Sequence, residues 1–422
     1  MPHMLELKVL SSLNPSVTSE VGALKTVLVH RPGNEMSRIT PTNMEELLFD
    51  DVIWLERAQE EHDVMTSKMR HRGIEVLDFS TLLTEALEVP GGRDEALELV
   101  FTDKTVGPAA LDSLRAFATG LDSSRLAEIL IAGMTKRELL EQIDEPKSAW
   151  ISGMDLDDFI LAPLPNHLFT RDTSSWIGGG VAVLSMRKPA RRRETINQEI
   201  VYRLHPRFAD LNIPFWKHGT LDGQATIEGG DIINAGNGTL IIGASERTTA
   251  QGIERLARRL FAGEVASTVI VLQIEKKRAQ MHLDTIFTML DEATFTAYAG
   301  LGKVRTQVIR PGVAGELDIT VHEADEMYDV IAAGLGFDSI RVLTVPTDSL
   351  TAEREQWNDG SNLLALEPGV VMSYERNTVS NDYFSDQGFE VITIPGNELG
   401  RGRGGAHCMT CPIVRDTLPA RV

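Results

Sequence analysis

Asp231-Ile-Ile-Asn-Ala-Gly-Asn-Gly-Thr-Leu-Ile-Ile-Gly243 reads as a polar head, a short apolar strand, a tight turn and a second strand. Gly-Asn-Gly tolerates the positive φ that a hairpin turn demands, and the flanking apolar and β-branched residues suit its two strands. The same order recurs three times: in Asp172-Thr-Ser-Ser-Trp-Ile-Gly-Gly-Gly-Val-Ala-Val-Leu-Ser-Met186, in Asp284-Thr-Ile-Phe-Thr-Met-Leu-Asp-Glu-Ala-Thr-Phe-Thr-Ala-Tyr298, and in Asn362-Leu-Leu-Ala-Leu-Glu-Pro-Gly-Val-Val-Met-Ser-Tyr374. Every copy opens on Asp or Asn. Modules repeated in this way around an axis point their polar heads at one shared centre. With an N-terminal copy around residues 25–31, five modules are expected, and the helical patterns at 248–261 and 323–335 lie between copies.

Outside the repeat, residues 25–30 predict a strand stopped by Arg31-Pro32-Gly33. Leu47, Leu48, Val52, Ile53 and Leu55 predict one apolar face of a helix over 44–72, ended by Gly73, with a further strand over 74–79. Strand signals then vanish. Leu111, Leu114, Phe117 and Leu121 recur at helical intervals, as do Leu126, Ile129, Leu130 and Met134, and Thr135-Lys-Arg-Glu138 is a capping box that opens another helix. The expected organisation is an α/β catalytic unit from residues 1–80 and 151–422, with residues 81–150 inserted as a helical subdomain for packing or a lid.

The 422 residues are 42% hydrophobic and 24% charged, ordinary for a globular protein. The formal net charge of −20 argues against nucleic acid or an anionic membrane as partner and favours approach of a small cation. No apolar run reaches the roughly 18 residues of a membrane span. Residues 1–10 lack the basic region and apolar stretch of a secretory signal. The only two cysteines, Cys408 and Cys411, cannot staple a fold of this size, so a reducing, cytoplasmic setting is expected.

Both cysteines lie in Gly400-Arg401-Gly402-Arg403-Gly404-Gly405-Ala406-His407-Cys408-Met409-Thr410-Cys411-Pro412. The glycines allow φ > 0 or close approach of backbone to a ligand. Cys-x-x-Cys is half a metal site or a redox pair, but no second cysteine pair exists, and a redox cysteine belongs at a helix start. The reading that uses the most residues makes Cys408 a nucleophile. Asp172 and Asp284 supply paired acceptors for a planar guanidinium. His282 moves the proton a departing amine needs, and Glu228, in Glu228-Gly-Gly-Asp231, orients that ring or accepts a substrate proton. Carboxylates beside the sulfur would raise its pKa in an empty site, so a cationic substrate would assist its own attack. A cysteine peptidase would instead want an oxyanion hole and no surrounding acids.

The combination of Leu164-Pro-Asn-His-Leu-Phe-Thr-Arg-Asp172, Glu228-Gly-Gly-Asp231, His282-Leu-Asp284 and the stretch Gly402 to Pro412 resembles the arginine deiminase family of guanidine-modifying enzymes. Phe49-Asp-Asp-Val-Ile-Trp54 and Arg354-Glu-Gln-Trp357 extend the likeness along nearly the whole chain. The resemblance implies a five-bladed pseudo-symmetric α/β propeller with a helical insertion. It implies hydrolysis of L-arginine to L-citrulline and ammonia through a covalent thiouronium on Cys408, with no metal or organic cofactor, and a homo-oligomer, dimer or tetramer. It assigns guanidinium capture to Asp172 and Asp284, acid/base work to His282 and a neighbouring carboxylate to Glu228. Substrate contacts are expected from Arg191, Arg247 and Arg403, and from Asn166, Phe169 and Asn362. Ala406 stands where glycine is expected, with some loss of φ > 0 freedom. Rival readings are an amidinotransferase, a dimethylarginine hydrolase and a non-catalytic arginine-binding protein, the last needing neither Cys408 nor His282.

Overall fold

The computed structural model describes residues 13–219, 223 and 225–419, so the signal-peptide reading of residues 1–10 lies outside the described residues. The fold is mixed α/β. Five of its sheets share one plan: an antiparallel pair, then a helical crossover to a third strand parallel to the second. Ser174–Ile177 and Gly180–Val183 are joined by Phe215–His218 across the helix Arg192–Leu204. Ile232–Gly236 and Thr239–Ala244 are joined by Thr268–Gln273 across Ala250–Ala262. Phe287–Met289 and Thr294–Ala297 gain Arg341–Leu343, and Leu364–Glu367 and Val370–Tyr374 gain Glu390–Ile394.

The fifth sheet differs in connectivity. Leu24–Val29 pairs in parallel with Glu75–Asp78, but its antiparallel mate is Cys411–Arg415 from the far end of the chain, with Leu28 opposite Cys411. The N-terminal module expected around residues 25–31 is therefore completed by the segment that follows Cys408. The turn at Asn237-Gly238 has the predicted geometry, with φ of 51° and 66°.

The segment over 44–72 departs from expectation. The helix spans only Leu55–His71, residues 41–48 form turns, and Leu48 adopts φ 66°. Tertiary contacts override the local pattern here: Asp50 is held by Arg278 at 2.8 Å and the Trp54 N–H donates to Glu398 at 3.0 Å, while Val52 is left exposed. The helix expected from residue 323 starts with the 3-10 turn Ala324–Glu326 and continues as Met327–Leu335.

Helices run from Phe79–Glu88 to Ala149–Ser152, with a short strand pair, Met134–Thr135 and Phe159–Leu161, late in the series. The capping box is present: Glu138 N–H donates to Thr135 Oγ1 at 3.2 Å and Thr135 N–H to Glu138 Oε2 at 2.8 Å. Leu83, Leu114, Leu126 and Leu130 from these helices share one apolar core with Trp176 and Val181 of the first sheet and Tyr202 of its crossover helix. Among the described residues, no helix is long and apolar enough to cross a membrane.

Candidate active site

Each of the five sheets is entered from a polar residue just ahead of its first strand: Asp172, Asp231, Asp284, Asn362 and Cys408. These heads lie in a closed cycle of contacts. A Cβ at Gly229 would come 2.0 Å from the Arg171 carbonyl oxygen, and one at Gly230 would come 2.9 Å from the His282 ring and 3.0 Å from Asp172 Oδ1. Glu228-Gly-Gly-Asp231 thus carries glycines because two neighbouring heads press on its backbone. Asp231 Oδ1 accepts the Leu283 N–H at 2.8 Å, and the Asn362 amide donates to the Asp284 carbonyl at 3.0 Å. Asn362 Oδ1 accepts the N–H groups of Gly405 and Cys408, both at 3.1 Å. Arg171 N–H closes the cycle on the Cys408 carbonyl at 3.2 Å.

The nucleophile candidate is buried. Cys408 Sγ lies 3.3 Å from Asp284 Oδ2, and Asn362 Nδ2 donates to it at 3.1 Å. Burial, followed by the charges of Asp284 and Asp172, pushes the thiol pKa well up. The Cys411 sulfur instead lies 3.5 Å from the Ser174 hydroxyl and carbonyl. Burial raises the Asp284 carboxyl most strongly, but the hydrogen bond to His407 together with the charges of His407, His282 and Arg171 brings it below its ordinary value. His282 Nε2–H donates to Glu228 Oε2 at 2.7 Å, and its Nδ1 stands 3.7 Å from Asp172 Oδ1. Burial opposes charging this ring, yet the Asp172 charge and the Glu228 bond raise its pKa to about 9. Burial likewise works against ionised Glu228, but His282 and Arg247 bring it down to about 2. At neutral pH the site holds a protonated thiol, an imidazolium and an ionised Glu228. Asp172 Oδ1 and Asp284 Oδ1, both buried, have no hydrogen-bond partner. Two orphaned carboxylate oxygens are matched to the N–H edge of a guanidinium.

The remaining candidates surround this group. Arg191 Nη1 contacts Asp172 Oδ2 at 2.5 Å, and the same guanidinium reaches Glu194 at 2.9 Å and the Asn166 carbonyl at 3.1 Å. Its donors are committed to bracing Asp172. Arg247 Nη1 is 3.5 Å from Glu228 Oε2, and its Nε lies 3.8 Å from Glu246 Oε1 without a hydrogen-bond partner. Asn166 Nδ2 donates to the Leu47 carbonyl at 2.7 Å. The Phe169 ring packs on Gly402 and Gly404, where a Cβ would come within 2.9 and 2.4 Å of it. Arg403 has its guanidinium carbon 3.4 Å from the Trp357 ring centroid and leaves Nε and Nη1 unpartnered.

Arg403 is also the residue of the glycine loop with positive φ, 63°. The glycines around it serve close approach instead. Ala406 is buried and is not in that conformation, so the alanine carries no φ penalty. Three chain segments meet beside Arg403, whose guanidinium feels the charges of Asp50 and Arg278. Arg278 bridges to Asp50 at 2.8 Å, Arg401 pairs with Asp51, and Glu398 takes the Trp54 N–H.

Two sets of buried groups escaped sequence reasoning. His407 Nδ1 contacts Asp284 Oδ2 at 2.8 Å, its Nε2 contacts Glu20 Oε1 at 2.8 Å, and Glu20 binds Arg171 at 2.9 Å. His407 and Arg171 adjoin quoted motif residues, which was a usable signal; Glu20 had none. Asp359 is buried with neither carboxyl oxygen hydrogen-bonded, and burial raises its pKa to about 7 despite Arg403. Its position between Trp357 and Asn362 was the available clue.

A buried thiol, an imidazole and carboxylates are gathered here from separate sheets, and the molecule's mixed α/β fold matches that of amidinotransferase-superfamily structures. Its fold resembles SxtG, an amidinotransferase from Microseira wollei in a saxitoxin biosynthetic pathway (13% identity, 96% of this chain and 99% of that one, TM-score 0.58). It also resembles the inosamine-phosphate amidinotransferase StrB1 from Streptomyces griseus (14% identity, 96% and 98% covered, TM-score 0.55). A third similar structure is the product-bound N-terminal domain of ArgZ, an arginine dihydrolase from the cyanobacterial ornithine-ammonia cycle (13% identity, 93% and 99% covered, TM-score 0.51). The chain belongs to the arginine deiminase family, whose model matches residues 45–415.

Proposed function

We propose that this protein hydrolyses L-arginine to L-citrulline and ammonia through a covalent intermediate on Cys408. The observation that carries the reading is the pair of orphaned oxygens, Asp172 Oδ1 and Asp284 Oδ1, flanking a thiol and an imidazolium in a buried site. A guanidinium held between them brings a positive charge beside Cys408 and offsets the carboxylates that keep its proton on. The thiol proton passes to Asp284, 3.3 Å away, and sulfur adds to the guanidinium carbon. His282 then protonates one amino group, the C–N bond breaks, ammonia departs and a thiouronium remains. The neutral ring next takes a proton from water, whose oxygen adds to the same carbon. Collapse breaks the C–S bond, Asp284 returns its proton to the departing sulfur, the added hydroxyl gives up its proton, which ends on ammonia as ammonium, and a urea group remains. Net, guanidinium and water become citrulline and ammonium. Arg247 and Arg403 each keep unpartnered donors suited to the substrate α-carboxylate.

We also propose that the five sheets are the blades of a pseudo-symmetric propeller with the heads at its axis, residues 81–150 forming an insertion. The shared strand plan and the cycle of head contacts support this. The decisive assay is citrulline release from L-arginine by the wild type and by Cys408→Ser. Release by the wild type with none from the variant supports the proposal; equal release by both refutes the nucleophile. Ornithine with a guanidinylated amine in place of citrulline, once glycine is supplied, would assign an amidinotransferase instead.

A further inference from the structure

The sheet built on Ile232–Gly236, Thr239–Ala244 and Thr268–Gln273 carries two strands more than the other four of its kind, Thr306–Pro311 and then Leu317–His322 at the edge. The edge strand is exposed from Asp318 through Val321, with Ile319 at 43% and Val321 at 49%. Val313, in the hairpin turn, is 87% exposed. Leu-Asp-Ile-Thr-Val-His contains no lysine or proline, the residues that commonly blunt an edge. Gly312 N–H donates to the Glu316 carbonyl at 2.9 Å, and the pairs from Pro311↔Leu317 to Thr306↔His322 follow without a bulge. Hydrogen-bonded and non-bonded pairs alternate along an antiparallel ladder. Asp318, Thr320 and His322 therefore turn their amides and carbonyls inward, while Leu317, Ile319 and Val321 turn theirs outward. Among the described residues, no strand pairs with that outward row.

We propose that a second copy of this chain binds here. Two Leu317–His322 strands pair antiparallel about a two-fold axis through Ile319, joining the two five-stranded sheets edge to edge. The strand is self-complementary in that register. Ile319 faces its own copy, Leu317 faces the partner's Val321, Asp318 faces the partner's Thr320 and Glu316 faces the partner's His322. Apolar side chains meet apolar ones, and each carboxylate meets a hydroxyl or an imidazole. The neighbouring registers that also match outward row to outward row are worse. An axis through Asp318 sets two carboxylates face to face, and one through Thr320 puts Leu317 against Glu323. A two-fold pairing of one strand with itself is the isologous contact from which homodimers are built.

The test measures mass by light scattering at tens of micromolar, together with cysteine cross-linking. The wild type is expected at an even multiple of the chain mass. Ile319→Lys, which opposes two ammonium groups across the axis, should halve that mass with an unchanged far-ultraviolet spectrum. Cys408 and Cys411 are buried, so an introduced cysteine is the accessible thiol. Ile319→Cys should link two chains under mild oxidation, while Val313→Cys in the turn should not. A wild type of single-chain mass, an Ile319→Lys variant that keeps its assembly, or equal linking through residue 313 would each overturn the proposal.

Discussion

Replacing Glu228 by glutamine tests the acid role of His282. The glutamine keeps the shape of the side chain and its carbonyl still accepts the bond from Nε2, while the charge 2.7 Å from the ring is lost. The His282 pKa stands at about 9 against 6.5 for a free ring, a preference of about 3 kcal/mol for the imidazolium. Burial works against that preference, and the Asp172 charge and the Glu228 hydrogen bond are the leading groups that outweigh it. With Glu228 neutral, Asp172 acts against the same burial with less help, and the pKa should fall by about 1 to 2 units. A proton donor with a raised pKa works below that value and fails as pH rises through it. The alkaline limb of kcat should therefore move to lower pH by the same amount. The assay is citrulline formation at saturating arginine across pH 6 to 10, read as the displacement between variant and wild type, because the substrate amine titrates in the same range. A folded Glu228→Gln enzyme whose alkaline limb coincides with that of the wild type would refute the imidazolium as donor.

The linked stability carries the same sign: the His282 contribution is fully present below pH 6.5 and is lost as pH passes about 9, so wild-type Tm should fall across that window more than that of His282→Gln. Asn362→Ala leaves the buried N–H groups of Gly405 and Cys408 without an acceptor, about 1–3 kcal/mol each, and should lower both Tm and turnover. Gly230→Ala should cost about 100-fold in kcat, because its Cβ displaces the His282 ring and Asp172. Cys408 is 3% exposed, so its reaction with a thiol reagent reports opening of the structure around it. Arg278→Ala with Arg401→Ala removes three partly exposed ion pairs worth at most about 1 kcal/mol apiece and should speed that reaction several-fold.

What the sequence disclosed follows from how local each signal is. A polar head followed by a hairpin is written within about a dozen residues, so four such modules were legible, and the capping box at Thr135 needed only four. The helix over 44–72 was misjudged because its first third is shaped by Arg278 and Glu398, residues whose influence leaves no periodic trace upstream. Cys408, His282, Glu228, Asp172 and Asp284 stood in motifs, and the structure brings them together. Glu20 was illegible for a physical reason: it matters because it meets His407, 387 residues away, and Arg171. Arg191 was legible as a basic residue near the site, but that its guanidinium braces Asp172 is a fact of packing.

The fifth module explains why the proposed nucleophile sits near the end of the chain. Four heads precede strands whose hairpin partner follows immediately, and all four are Asp or Asn. The fifth head precedes Cys411–Arg415, whose partner, Leu24–Val29, was made at the start. Position five alone carries sulfur, and the proposed mechanism makes it the nucleophile of the cycle of heads. Its Asn362 and Asp284 neighbours hold the thiol in place, while burial and the acids keep it protonated. A thiol surrounded by acids is a poor nucleophile and a poor target for oxidants, since both reactions need the thiolate. Only a bound cation reverses that balance. In the proposed mechanism the acids that keep the thiol protonated are also the groups that recognise the substrate, and binding and activation become one electrostatic event. A neutral arginine isostere such as citrulline should accordingly fail to accelerate alkylation of Cys408 at pH 7, whereas a guanidinium or amidinium ligand that leaves the sulfur accessible should accelerate it. Equal rates with both ligands would separate binding from activation and defeat the argument.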